Sequence, residues 1–110
     1  MSIHVERTGL NAVIELSGRL DMNSSADVRK VALTLLTRRN CKNLCIDFTG
    51  VTYIDTSGLA ILVEILTAAR QRRAELTLSG LNQRVRYLID VNGLTGFFKI
   101  QAPVMEKLIA

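Results

Sequence analysis

The sequence predicts an α/β fold: one domain with a mixed β-sheet, an N-terminal hairpin, parallel βαβ crossovers and helices packed on the sheet. Three observations carry that expectation. Apolar and polar residues alternate from Ile3 to Arg7 and from Ala12 to Ser17 around Thr8-Gly9-Leu10-Asn11, the pattern of an antiparallel hairpin. Leu44-Cys45-Ile46-Asp47-Phe48 is a short apolar run suited to a buried strand, whereas Gly58 to Ala69 has only Glu64 and Thr67 as polar members and is too long for one. Beyond it, strand and helix patterns keep alternating, and strands joined through helices pair in parallel by right-handed crossovers.

The remaining elements follow in order. Gly18-Arg19-Leu20-Asp21 ends the hairpin, and Asn23, Ser24 or Ser25 can cap a helix in which Ala26, Val28, Val31, Ala32, Leu35 and Leu36 cluster at helical spacing before Arg38-Arg39. After the Leu44 to Phe48 strand, the next helix begins at or near Ser57, with Thr56 or Ser57 as its cap. Glu75 to Ser79 reads as a short strand. Asn82 can cap a helix through about Val91, which Gly93 stops. Phe97 to Ile100 reads as a last strand, and Pro103 suits the first turn of a terminal helix to Ile109. The expected order is ββαβαβαβα.

Composition narrows the function classes. A chain of 110 residues with 48% hydrophobic content supports one core, hence one domain over residues 1–110. No apolar run approaches the roughly 18–20 residues that span a bilayer, and Met1 to Arg7 lacks a signal-peptide pattern, so a cytoplasmic protein without membrane insertion is expected. Cys41 and Cys45 do not form a CxxC pair and His4 is the single histidine; a metal site is not expected. Neither GxxxxGKS/T nor GxGxxG occurs, so no cofactor is expected. The formal charge of +4 invites a nucleic-acid partner, but the basic residues are scattered in short groups, without Trp and with only two Tyr and three Phe. No direct nucleic-acid contact is expected.

Chemistry concentrates in Tyr53-Ile54-Asp55-Thr56-Ser57-Gly58-Leu59, which places two hydroxyls and a carboxylate at the seam between an apolar strand and an apolar helix. Function in open α/β sheets lies at the carboxyl ends of strands, so the loops holding Asp21 and Asp55-Thr56-Ser57 should approach one another. Free N–H groups and the helix dipole favour added negative charge at Ser57 by roughly 0.3–1 kcal/mol. On the helix, Leu59, Leu62, Val63 and Leu66 are the expected core face. Ile61, Ile65 and Ala68 form a flank that could meet a partner.

These residues carry a resemblance. Gly18-Arg19-Leu20-Asp21 after an early strand, paired with Asp55-Thr56-Ser57-Gly58-Leu59 after a central one, resembles the STAS family and its stand-alone anti-sigma-factor antagonists. Leu81 to Asp90, followed by Val91-Asn92-Gly93-Leu94, is similar to the family's helix closed by Gly-Leu. The resemblance implies that Ser57, the second hydroxyl residue of an Asp-Ser/Thr-Ser/Thr-Gly motif, is phosphorylated by a partner kinase, with Asp21, Asp55, Thr56 and Gly58 as its surroundings. It further implies that the unmodified protein binds an anti-sigma factor that is also an ATP-using serine kinase, and that a serine phosphatase restores it. Arg19 and the positive net charge depart from a family whose members are often acidic.

Asp21 has two open roles, orienting the Ser57 hydroxyl or contacting the kinase. Asp47 is expected to be a structural turn carboxylate. A receiver domain would use Asp47 and Lys99, yet a hairpin stands where its first parallel strand and acidic pair belong. A hydrolase using Ser57 would need a base, and His4 on the edge hairpin is poorly situated; no enzymatic activity is expected. The alternative within the family is an interaction subunit of a transporter or lipid-transport complex.

Overall fold

The structure, a computed structural model, describes residues 1–101. The expected helix from Pro103 to Ile109 lies outside the described residues. The elements are β1 (Ser2–Thr8), β2 (Asn11–Leu20), α1 (Ser25–Thr37), β3 (Asn43–Ile54), α2 (Thr56–Gln71), β4 (Glu75–Ser79), α3 (Gln83–Val91), a 3-10 turn (Thr95–Phe97) and β5 (Lys99–Ile100). The strands lie in the order β1-β2-β3-β4-β5. β1 and β2 are antiparallel, and every later pairing is parallel. The expected mixed sheet is therefore present.

Its hairpin closes at Gly9, whose φ of 60° lets the chain reverse between the paired Thr8 and Asn11. Alternation along the strands sends Ala12, Ile14 and Leu16 of β2, Leu44, Ile46 and Phe48 of β3, and Leu76 and Leu78 of β4 into one core. There they meet Val28, Ala32 and Leu36 of α1, Leu62, Ile65 and Ala69 of α2, and Val85 and Ile89 of α3. The Arg29 guanidinium and the Glu64 carboxylate pair across α1 and α2.

Two elements depart from expectation. β3 does not stop at Phe48 but continues to Ile54, because the sheet absorbs the Thr49-Gly50 interruption as an irregularity. The register steps from Glu15 opposite Asp47 to Ser17 opposite Gly50, leaving an extra residue on β3. Asp47 Oδ1 accepts hydrogen bonds from the Thr49 N–H (2.9 Å) and Oγ1 (2.6 Å), so this carboxylate shapes the strand locally. The final strand is shorter than Phe97 to Ile100, since Thr95–Phe97 winds as a 3-10 turn first.

The buried face of α2 is also rotated from its expected position. Gly58, Leu59, Leu62, Ile65 and Ala69 are buried, while Val63 is 38% exposed and Leu66 and Ala68 are half-buried. Ile65 is wholly buried, which removes it from the partner surface; Ile61 is half-buried against the core. The sheet-facing stripe starts at Gly58 and steps through 62, 65 and 69, whereas counting from Leu59 gives a neighbouring face.

Candidate functional site

The site is built by the start of α2. Asp55 is extended (φ −116°, ψ −172°) and its Oδ1 accepts the Gly58 N–H at 3.1 Å. The cap is thus Asp55, not Thr56 or Ser57. A carboxylate at this position satisfies a free helix N–H and complements the dipole at once. Thr56 and Ser57 become the first and second residues of the helix, Thr56 exposed and Ser57 half-buried. Neither hydroxyl makes the capping bond, which Asp55 supplies.

The loops after β2 and β3 do approach, and backbone contacts bring them together. The Asp55 N–H donates to the Leu20 carbonyl at 3.2 Å. Gly58 packs so closely that an added Cβ would lie 2.8 Å from that same oxygen and 2.7 Å from Ile54 Cγ1. Only glycine fits here without displacing β2 or β3.

Asp21, half-buried, is the next residue beyond Leu20. Its Oδ1 accepts the Asn23 N–H at 2.9 Å and its Oδ2 lies 3.5 Å from Arg19 Nε. Those partners hold the carboxylate; a hydrogen bond to Ser57 is not among them. Ser24 closes the loop from below, receiving the Asp21 N–H at 3.0 Å and donating its hydroxyl to the Arg19 carbonyl at 2.7 Å. Ser24 occupies the cap position of α1, yet its side chain makes no cap bond because it is turned to Arg19. Met22, at the tip, is 75% exposed.

Sequence reasoning missed the lateral boundary of the site. Arg19 stacks on Tyr53, its guanidinium carbon 4.0 Å from the ring centroid, so the strand residue two before the cap is covered by a cation. A groove of about 410 Å³ lies between the start of α2 and α3, lined by residues that include Asp55, Thr56, Arg84, Tyr87 and Leu88. The signal was in the helical spacing: Tyr87 and Val91 are four residues apart and off the face of Val85 and Ile89.

Among the described residues, no histidine lies at the start of α2. His4, the single histidine, is exposed on β1, its Nε2 3.4 Å from Glu6 Oε1. Among the described residues the one grouping of metal-ligating types is His4, Glu6 and Glu15, all exposed on the hairpin and including no residue of the α2 start.

A family model described as "Mlab, STAS domain" matches residues 3–105. The chain belongs to the STAS domain family. Among curated proteins it is 33% identical to the anti-sigma-B factor antagonist of Listeria monocytogenes over 88 residues, 80% of this chain and 76% of that one. It is 30% identical to the anti-sigma F factor antagonist of Paenibacillus polymyxa over 95 residues, 86% of this chain and 78% of that one. The STAS fold is matched by the unphosphorylated anti-sigma factor antagonist SpoIIAA, with a TM-score of 0.76 at 16% identity, covering 98% of this chain and 94% of that one. An anti-sigma factor antagonist from Mycobacterium paratuberculosis matches with a TM-score of 0.80 at 20% identity, covering 98% and 91%. Among the described residues no helix is long and apolar enough to cross a membrane.

Proposed function

We propose that this STAS domain is an anti-sigma-factor antagonist: its unphosphorylated form binds an anti-sigma factor and releases the sigma factor, and phosphorylation of Ser57 switches binding off. The observation that carries the reading is the Asp55 cap, which makes Ser57 the second residue of α2 and keeps its hydroxyl out of the capping bond. Curated relatives named as anti-sigma factor antagonists support it. A related fold solved in the phosphorylated form supports the idea that such a domain can carry the modification. The same relatives favour this reading over that of a transporter or lipid-transport subunit.

The switch works through charge. Phosphorylation adds about −1.5 to −2 charge and three acceptor oxygens at a helix start where the fold tolerates them. Asp21 and Asp55 already contribute negative charge nearby. Two unit charges about 5 Å apart interact by roughly 3 kcal/mol at an effective dielectric near 20, and each 1.4 kcal/mol is tenfold in affinity. A docked partner that accepts a neutral hydroxyl at Ser57 therefore rejects the phosphate without any refolding. The kinase is the anti-sigma factor itself, using ATP, and a serine phosphatase resets the protein. Both act in the cytoplasm, and the STAS domain is substrate and ligand rather than enzyme.

The test is to mix the protein with purified anti-sigma serine kinases and ATP and to locate the label by mass spectrometry. Phosphate on Ser57 and its absence from Ser57→Ala are the expected results. Equal labelling of the alanine variant, with phosphate on Thr56, would put the switch at the wrong hydroxyl.

A further inference from the structure

The two edges of the sheet are unlike. β5 is a strand of 2 residues, while β1 runs for 7, contains no proline, and pairs with β2 without a break from Ser2 to Thr8. Among the described residues no strand covers its outer side. Proteins usually blunt such an edge by shortness, proline or a bulge, because its unpaired N–H and C=O groups invite another strand. Which groups are free follows from the hairpin. The residues flanking a two-residue loop exchange hydrogen bonds, and the direction alternates from there along the strand. Thr8, Glu6 and His4 therefore bond to β2, and Arg7, Val5 and Ile3 turn their N–H and C=O groups outward.

The order of side chains along that edge is self-complementary. A second, antiparallel β1 centred on Val5 sets Val5 against Val5, Ile3 against Arg7 and His4 against Glu6, with the whole of Ser2–Thr8 overlapping. Its pairs at Ile3, Val5 and Arg7 are those whose backbone groups face outward, so each exchanges both N–H···O=C bonds. His4 and Glu6 fall at the positions between, where opposed side chains come closest. Centring on Glu6 would oppose two carboxylates, and centring on His4 two imidazoles. Glu6 Oε1 lies 3.4 Å from His4 Nε2 of its own chain, and Glu15 stands opposite His4 on β2. This face thus carries two carboxylates to one imidazole and can take a second imidazole. On the other face Val5 stands opposite the buried Ile14, yet is 37% exposed because the sheet ends there. Val5 and Ile3 floor a hollow of about 520 Å³ against Val31 and Leu35 of α1, with Asp27, Lys30 and Arg39 also lining it.

We propose that the outer edge of β1 is a self-association surface: two copies join their five-stranded sheets antiparallel through β1, with Val5 on the twofold axis and His4 of each copy facing Glu6 of the other. The contact is isologous, each copy giving the same strand. Backbone hydrogen bonds and the meeting of the two Val5 side chains hold the copies together, and the His4–Glu6 pairs fix the register. No residue of this contact belongs to the start of α2, so association does not depend on the state of Ser57.

The test is sedimentation equilibrium of the full chain from about 10 to about 500 µM, with melting temperature as the check on folding. Wild type should pass from monomer to dimer across that range. Val5→Pro should stay monomeric throughout yet keep its fold, because the N–H it removes faces away from β2 and proline is tolerated at such edge positions. His4→Glu opposes two carboxylates, and Glu6→Lys removes the acceptor facing each imidazole, so each variant alone should dimerise at least about tenfold more weakly. An equimolar mixture of these two variants should recover the dimer. One junction then pairs a carboxylate with an ammonium, and the other keeps Glu6 with His4. Recovery on mixing separates the register from any loss of folding, and it decides the matter alone should Val5→Pro unfold. Wild type that is monomeric throughout overturns the proposal. A dimer that survives Val5→Pro places association on another face and overturns it, as does a mixture that associates no better than its components. The antagonist reading stands in every case, since none of these measurements involves Ser57.

Discussion

Gly58 and Leu20 touch through their backbones, so that a side chain at 58 would bring its Cβ to 2.8 Å from the Leu20 oxygen and 2.9 Å from Leu20 Cγ. The same Leu20 oxygen accepts the Asp55 N–H. The last residue of β2 is thereby held against both the cap and the first turn of α2. Asp21 is one residue further, its carboxylate held by the Asn23 N–H and Arg19. The site is thus assembled by main-chain contact, and its residues can present their side chains outward.

Gly58→Ala tests that contact directly. Its methyl group would meet backbone and the packed Ile54 and Leu20 rather than a flexible side chain, so the start of α2 must shift. Overpacking of this kind costs roughly 1–3 kcal/mol. Chemical denaturation should show a loss in that range despite alanine's better helix propensity. Unchanged stability would mean that β2 and α2 separate freely.

Removing the cap should have a smaller effect. Asp55→Ala leaves the Gly58 N–H without its 3.1 Å acceptor and should lower stability by about 1 kcal/mol. Asp55→Asn keeps an acceptor and should lose only a fraction of that. A urea titration of the two variants separates the hydrogen bond from the charge, and equal losses in both would assign the stabilisation to the dipole.

The mixed sheet, the hairpin and the approach of the two loops were legible from short stretches of sequence: alternation at Ile3 to Ser17, turn residues at Gly9 and seam residues at Asp55 to Gly58. The continuation of β3 was not, since Thr49-Gly50 has the composition of a turn and only pairing with β2 and the Asp47 bonds keep it in the sheet. The cap was misread for a related reason. Asp, Thr and Ser all cap well, and choosing among adjacent candidates depends on where the strand lets go of the chain. Arg84 and Tyr87 lie more than 25 residues from Ser57, and no local pattern ties α3 to the start of α2.

The rotated face of α2 is checked by a pair of substitutions. Ile65 is wholly buried and Val63 is 38% exposed, although the spacing from Leu59 suggested the reverse. Ile65→Ala should cost roughly 2–5 kcal/mol through lost burial and the cavity left behind. Val63→Ala should stay within about 0.5 kcal/mol. Melting temperatures that rank the two variants the other way would restore the original face.

The charge switch is tested by Ser57→Asp. A carboxylate at the second residue of α2 meets free helix N–H groups and the positive end of the dipole, so the fold should keep its melting temperature and gain at most a few tenths of a kcal/mol. Binding to the partner kinase should nevertheless fall by at least about tenfold. The new charge joins Asp21 and Asp55, and a docked partner excludes the water that screens the three carboxylates from one another. A carboxylate carries less charge than a phosphate, so authentic phosphorylation should weaken binding further than the variant does. Calorimetry and thermal melting on the same samples separate affinity from folding. If both Ser57→Asp and phosphorylated Ser57 bind the verified kinase as tightly as the unmodified protein, repulsion at the start of α2 is not the switch.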